Sequence, residues 1–329
     1  MSAKNKVWKK FRRNPLAMAG LVFIFLMTLV SVLGSSIRPD QTEDANHQVL
    51  PIARQKPGTK VKFYTLASGE EVPIKSFTSD DSLRLVLFDG SIINYSLDEA
   101  GNSIFERTYF LGTDKYGRDL LSRLMAGTFI SLSVGAVAVF ISLLVGIVLG
   151  LIAGFYRGTV DAVIMWFINV IWAVPTLLLV MAITFAFGTG FWKVFLAVGL
   201  TMWVEVARIT RGQVLSIREK EYVEAARSLG FGNFRIMFRH ILPNIWSPII
   251  VISAANFASA ILIEAGLSFL GLGAQIPTPS WGNMIREHYA FLTTDLAYLA
   301  IVPGVLIMLL VLSFMMVGNG LRDALDVRS

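Results

Sequence analysis

The stretch TFISLSVGAVAVFISLLVGIVLGLIAGFY, from Thr128 to Tyr156, holds 29 residues and not one charge. At about 1.5 Å of rise per residue, a helix of this length exceeds a hydrocarbon core about 30 Å thick. In lipid its backbone groups must satisfy one another, which a helix does most simply. Similar uncharged runs lie on both sides: Leu16 to Leu33, Ala162 to Trp192 (interrupted by Pro175 and Gly188), Ile241 to Ile263 and Leu296 to Leu321. The 329 residues are 54% hydrophobic and only 16% charged, with the apolar excess gathered in these runs. That distribution excludes a soluble enzyme and a disordered chain, and 0 cysteines exclude a disulfide scaffold and thiol catalysis.

A sixth run, Val194 to Val204, is short and sits between Lys193 and Glu205. It spans if Lys193 snorkels outward and Glu205 faces protein. Parity favours counting it. The N-terminus carries Lys4, Lys6, Lys9, Lys10, Arg12 and Arg13, and the stretch from Arg208 to Arg239 is also strongly basic. Six spans put both clusters in the cytoplasm, as the positive-inside tendency requires. The formal charge of +6 is then a matter of topology rather than a nucleic-acid signal. The first run is too long for a signal-peptide core and is followed by further spans, so it reads as an uncleaved helix. The expected fold is an all-α polytopic membrane protein with six transmembrane helices and both termini cytoplasmic. Residues 1–37 hold the basic N-terminus and first span, 38–109 an extracytoplasmic insertion, and 110–329 a core of five spans.

The insertion reads as β-structure. Leu83 to Phe88, Asp89-Gly90 and Ser91 to Tyr95 form a two-residue hairpin signal. Val61 to Leu66, Ser68-Gly69 and Val72 to Ile74 suggest a second hairpin, with Pro73 suited to a sheet edge. Two readings stand: a small subdomain packed on the membrane core, or a docking surface for an external partner.

The cytoplasmic loop, about 208–243, is the informative segment. Good helix formers run from Glu219 to Leu229, and Gly230 suits the left-handed position that ends a helix. A short amphipathic piece, Phe234 to His240, follows, and Pro243 fits the first turn of the next membrane helix. Two short helices attached to spans on both sides make a lever. Ala225 and Ala226 let another surface approach closely, and Glu224 and the nearby arginines can fix its register. The competing reading is an interfacial helix resting on anionic lipid.

Glu224-Ala225-Ala226, Gly230 and Leu242-Pro243 resemble the EAA loop of membrane subunits of bacterial ABC importers. Further stretches agree: Leu111 to Asp119 (LGTDKYGRD), Glu264 to Gly273 (EAGLSFLGLG), Pro277 to Gly282 (PTPSWG), Gly320 to Asp326 (GLRDALD) and Arg13 to Leu16 (RNPL). Together they are similar to the C-type permease of dipeptide, oligopeptide and nickel importers, over residues 1–37 and 110–329. Phe129, Asn169 and Asn319 depart from the family's usual charged residues at those positions. The resemblance implies a permease subunit forming half of a peptide pathway, paired with a homologous permease, two ATP-binding subunits and an extracytoplasmic binding protein in the bacterial inner membrane. Nickel or another small solute is the alternative cargo. It further implies that Glu221, Glu224, Ala225, Ala226, Gly230, Leu242 and Pro243 form the coupling element. ATP and Mg would belong to the partner ATPase. The chain itself has no GxxxxGK followed by Ser or Thr, no triad-like motif, and only three scattered histidines, so no catalytic, metal or cofactor site is expected.

Within the spans, Gly146, Gly150 and Gly154 form a small-residue face for close helix packing, inside the chain or with a partner. Pro175 is expected to kink the third span, a possible gate. Asn169, Ser253 and Asn256 suit either a wet pathway or interhelical hydrogen bonds. Glu264 needs a partner or water, unless it lies at the interface as a salt bridge or cap. An ion-coupled secondary transporter is less well matched, since no charge lies well inside any span. A scaffold built around the β insertion leaves the lever unexplained.

Overall fold

The computed structural model describes residues 3–66, 68–79, 83–88, 90–95, 103–188 and 190–325. A basic helix α1 (Ala3–Arg12) leads into α2 (Pro15–Ile37). The break between them is local chemistry. The Asn14 side chain accepts the Ala17 N–H at 3.1 Å, and Pro15 has no N–H to leave unpaired in the first turn. The remaining helices are α3 (Leu120–Tyr156), α4 (Gly158–Trp172), α5 (Thr176–Phe187), α6 (Phe191–Ile217), α7 (Glu221–Ser228), α8 (Asn233–Arg235), α9 (Trp246–Phe269), α10 (Trp281–His288) and α11 (Tyr298–Leu325). A π-helical turn, Ile236–Ile241, continues α8.

Four helices, α2, α3, α9 and α11, are long and apolar enough to cross a bilayer. α4 and α5 make a fifth candidate, bent by 91° at the break between them. Pro175 stands at that break with ψ 126°, outside helical backbone, and has no N–H to return to the preceding turn. α6 has 27 residues, but Lys193, Glu205, Arg208 and Arg211 keep it out of the apolar set. Length and composition therefore give four or five spans among the described residues, against the six expected.

α3, α9, α10 and α11 share one core, built on Leu120, Leu124, Ile261, Trp281, Leu299 and Leu310. Trp281 is fully buried there, and its indole N–H reaches the Leu124 carbonyl at 3.0 Å. α3 also runs against α6, where glycines let the two backbones meet.

Between α2 and α3 lies a five-stranded sheet of order β4-β3-β2-β1-β5. Its strands are β1 (Thr59–Thr65), β2 (Glu71–Ser79), β3 (Leu83–Leu87), β4 (Ile92–Tyr95) and β5 (Ser103–Tyr109), paired antiparallel. The pairings of both expected hairpins are present; Asp89 lies outside the described residues. Pro73 differs from expectation, because β2 is flanked by β1 and β3 rather than at an edge. It faces Phe63 on the β1 side, and the β3 ladder begins only at Ile74, so the missing N–H breaks no β3 bond. β5 was not foreseen. It closes the sheet against β1, with Phe105 stacked on Phe63 at 5.5 Å.

The sheet packs on the helical core through residues 49–56. Ile52 accepts from the Thr113 hydroxyl at 2.5 Å, and the Gln55 carbonyl accepts from Tyr298 at 2.9 Å. At Gly117 a Cβ would lie 1.9 Å from the Val49 carbonyl oxygen, so only glycine fits.

Candidate functional site

The lever expected from sequence is centred on α7. It begins two residues later than the propensities suggest, because Arg218 and Glu219 are used elsewhere. The Arg218 guanidinium donates to the Phe155 carbonyl at 2.5 Å, capping the end of α3, and Glu219 pairs with Arg157. That hydrogen bond holds the Glu219 carboxyl below its ordinary range, whereas burial lowers Arg218. The other end closes as a Schellman motif. The Gly230 N–H bonds the Arg227 carbonyl at 2.9 Å and the Phe231 N–H bonds the Ala226 carbonyl at 3.1 Å. Gly230 takes φ +75°, which a side chain would strain.

One face of α7 is anchored. Val223 and Ala226 are buried with Leu151 and Phe155 of α3, Val214 of α6, Ile236, Met237 and Ile241 of the π-turn, and Ile249 of α9. The opposite face presents Glu221, Glu224 and Ala225 outward, flanked by exposed Tyr222 and Leu229. α7 is thus fixed to three long helices on one side and free on the other. Of the paired alanines, only Ala225 is available to a partner. The Phe234 and Phe238 rings meet on the return segment at 4.5 Å, tilted by 35°. Pro243 lies in a 3-10 turn, Leu242–Asn244, before α9 rather than in its first turn. Ile245, with φ −108° and ψ 6°, separates the two, and the early proline of α9 is Pro248.

The glycine face meets α6. A Cβ at Gly146 would lie 2.7 Å from the Trp203 carbonyl, at Gly150 2.6 Å from that of Ala207, and at Gly154 2.9 Å from that of Arg211. Asn169 is exposed on α4, Ser253 donates back to the Ile249 carbonyl at 2.6 Å, and buried Asn256 keeps its Nδ2 unpartnered. Glu264 is buried and accepts from Ser268 at 2.6 Å. Sequence reasoning overlooked a groove of about 350 Å³ lined by Trp172, Thr176, Thr201, Glu205 and Ser259. Its only signal is the i, i+4 spacing of Thr201 and Glu205.

A second cluster lies at the sheet end of the molecule. Arg118, almost fully buried, donates from Nε to Asp114 at 2.5 Å and from Nη2 to Glu287 at 2.7 Å. Donor atoms of Asp114, Glu287 and His288 lie within 4.8 Å of one another, the nearest approach to a metal-ligand set among the described residues. The guanidinium already engages both carboxylates, so the cluster reads as a buried ion-pair network. His288 bonds through Nδ1 to the Met284 carbonyl at 2.8 Å, and burial pushes its pKa down.

Long apolar helices, an α3–α6 pair joined through glycines and an anchored, outward-facing short helix describe a helical membrane permease. The comparisons with known proteins agree. Residues 146–328 match the binding-protein-dependent transport system inner membrane component, and residues 4–57 match the N-terminal TM domain of oligopeptide transport permease C. The glutathione transport system permease protein GsiD of Pectobacterium atrosepticum is 42% identical over 66% of this chain and 72% of its own length. The dipeptide transport system permease protein DppC of Haemophilus influenzae is 33% identical over 97% of this chain and 92% of its own. That alignment runs through the sheet segment. Among solved structures, the inward-facing MetNI methionine ABC transporter shares the fold, with TM-score 0.54 and 15% identity over 63% of this chain and 98% of that one. The chain belongs to the inner-membrane component family of binding-protein-dependent transport systems: it is a permease subunit of an ABC transporter, and the ATPase is a separate subunit.

Proposed function

We propose that this chain forms half of the translocation pathway for di- or oligopeptides and receives ATP-driven motion through α7. The observation that carries the coupling role is the two-faced anchoring of α7, with Val223 and Ala226 buried while Glu224 and Ala225 face outward. A helix so held transmits force to α3, α6 and α9 instead of yielding alone. The two families of relatives compared above are named for glutathione and dipeptide transport, which supports a peptide cargo. A homologous permease, two ATP-binding subunits and an extracytoplasmic binding protein complete the assembly.

In this reading α6 is the sixth span, both termini are cytoplasmic and the sheet is extracytoplasmic. The basic residues of α6 are compatible with that placement, while Glu205 is exposed on the groove with Trp172 and Thr201 rather than packed against protein. Lys193 is near one end, Arg208 lies 3.8 Å over the Trp172 ring, and Arg211 pairs with Asp161. The test is co-purification with the ATPase subunits: Glu224→Arg should abolish binding and ATP-driven peptide uptake. Retention of the ATPase with unchanged uptake would remove the coupling assignment.

A further inference from the structure

We infer that Asp161 and Arg211 form a latch that fixes α4 to the coupling arm, so that displacement of α7 reaches the bend at Pro175. The inference rests on the coupling role proposed for α7.

The two neighbours of α6, the helix that leads into α7, are attached to it by different physics. α3 and α6 are interlocked: at Gly146, Gly150 and Gly154 a Cβ would meet α6 carbonyls at 2.6–2.9 Å, so these helices move as one body. α4 is not held that way. Ile168 is buried against Trp203, Val204 and Ala207, but Val163, Trp166, Phe167 and Val170 of the same helix are exposed. Polar ties complete the attachment. Arg211 grips Asp161 with two parallel bonds, Nε to Oδ1 at 2.5 Å and Nη2 to Oδ2 at 2.6 Å. Arg208 covers Trp172 at the far end of α4, and Arg157, just before α4, pairs with Glu219.

Shielding decides which tie carries load. The side chains of Arg157 and Glu219 are 43% and 65% exposed, so water and salt screen them. Those of Arg211 and Asp161 are 28% and 16% exposed, and their fork geometry fixes orientation as well as distance. Asp161 also lies in the first turn of α4, where a carboxylate complements the helix N-terminus. Arg211 is a junction: its backbone carbonyl abuts Gly154 of α3 while its side chain holds α4.

At its other end the broken helix packs on the far end of α6 and on α9. Val180 of α5 is buried with Val194, Val198 and Ala260. If the α7 end of α6 swings about its far end, Asp161 draws α4 with it while α5 stays with that far end and with α9. The residues between them, Ala173 to Pro175, then absorb the difference. Asp161 and Arg211 act as positioning residues and touch no cargo.

The test uses the complete transporter reconstituted in vesicles. Asp161→Asn and Arg211→Gln should assemble and hydrolyse ATP at near-parental rates, while peptide uptake falls about tenfold. The exchanged pair Asp161→Arg/Arg211→Asp should recover most of the uptake. Undiminished uptake in either single variant overturns the latch. The parental sequence supplies a second measurement that depends on no weakened variant. With 0 native cysteines, spin labels can be placed at will. A pair at Val163 and Ser216 should keep its separation within about 2 Å on ATP binding, while a pair at Val163 and Phe185 changes by more. The reverse pattern overturns the latch even if the variants fail to fold. Absence of ATP-driven uptake in the parental transporter is a separate outcome, and it removes the coupling reading together with the latch.

Discussion

Replacing Gly150 with alanine tests the α3–α6 contact directly. The new Cβ would lie 2.6 Å from the Ala207 carbonyl oxygen and 2.6 Å from Thr210 Cβ, where ordinary contact begins near 3.4 Å. The obstruction includes backbone, so relief requires α6 to retreat by about 0.8 Å along a seam that Gly146 and Gly154 also hold closed. Overpacking of this kind costs about 1–3 kcal/mol. Alanine also removes the helix penalty of glycine, a gain of about 0.5–1 kcal/mol. Gly212, on α6, separates the two effects, because a Cβ there meets nothing within 4 Å. Gly212→Ala should therefore raise stability by the propensity gain alone. The difference between the two variants isolates the packing cost, about 1–3 kcal/mol. Thermal melting of the purified chain in one detergent, followed by tryptophan fluorescence, measures it. A Gly150→Ala protein that melts at or above Gly212→Ala would refute the close-packed seam.

Four further outcomes follow from the same structure. Arg118→Leu leaves Asp114 and Glu287 buried without their cation and should cost about 3–5 kcal/mol, seen as a large drop in melting temperature. Glu219→Gln removes an exposed, screened pair and should leave the melting temperature essentially unchanged. Gly230→Val places a branched residue at φ +75° and should fray α7 by about 1–2 kcal/mol, read as faster amide exchange over 221–231. His288 is held below its ordinary pKa by burial, so the unfolded chain binds the extra proton first as pH falls. Its contribution is full above about pH 6.5 and declines below it. His288→Gln should flatten that acid limb, and an unchanged pH profile would contradict the assignment.

What the sequence made legible was local. Gly230 announces the end of α7, because left-handed turns are decided within a few residues. The sheet hairpins were readable for the same reason, whereas β5 pairs with β1 across some forty intervening residues and left no short-range mark. Contacts between distant segments were invisible: Arg118 with Glu287, Arg211 with Asp161, and Arg218 with the Phe155 carbonyl. Each spends a charge that composition alone assigns to water or lipid. The start of α7 was misplaced for this reason, since Glu219 is a good helix former whose side chain is engaged by Arg157.

These long-range contacts also differ systematically between the two ends of the molecule, and the difference bears on the proposed mechanism. At the sheet end, Arg118 is buried between two carboxylates, Arg123 donates to the Asp44 and Pro277 carbonyls at 3.0 and 2.7 Å, and Trp281 is tied to Leu124. Breaking any of these leaves a buried polar group without its partner, a cost large enough to keep that end in one arrangement. At the α7 end the charged ties are part-exposed, and the close packing is apolar and non-directional. The apolar contacts and the exposed Arg157–Glu219 pair can slide or re-pair in water at little cost, whereas the better-shielded Arg211–Asp161 fork holds. If an ATPase displaces α7, the strain must therefore travel along the helices toward the rigid end. The element least able to transmit it intact is the broken α4–α5 pair, whose 91° bend has no continuous backbone hydrogen bonding across Pro175. A change of bend there, with the sheet end unmoved, is the conformational change this distribution of contacts favours.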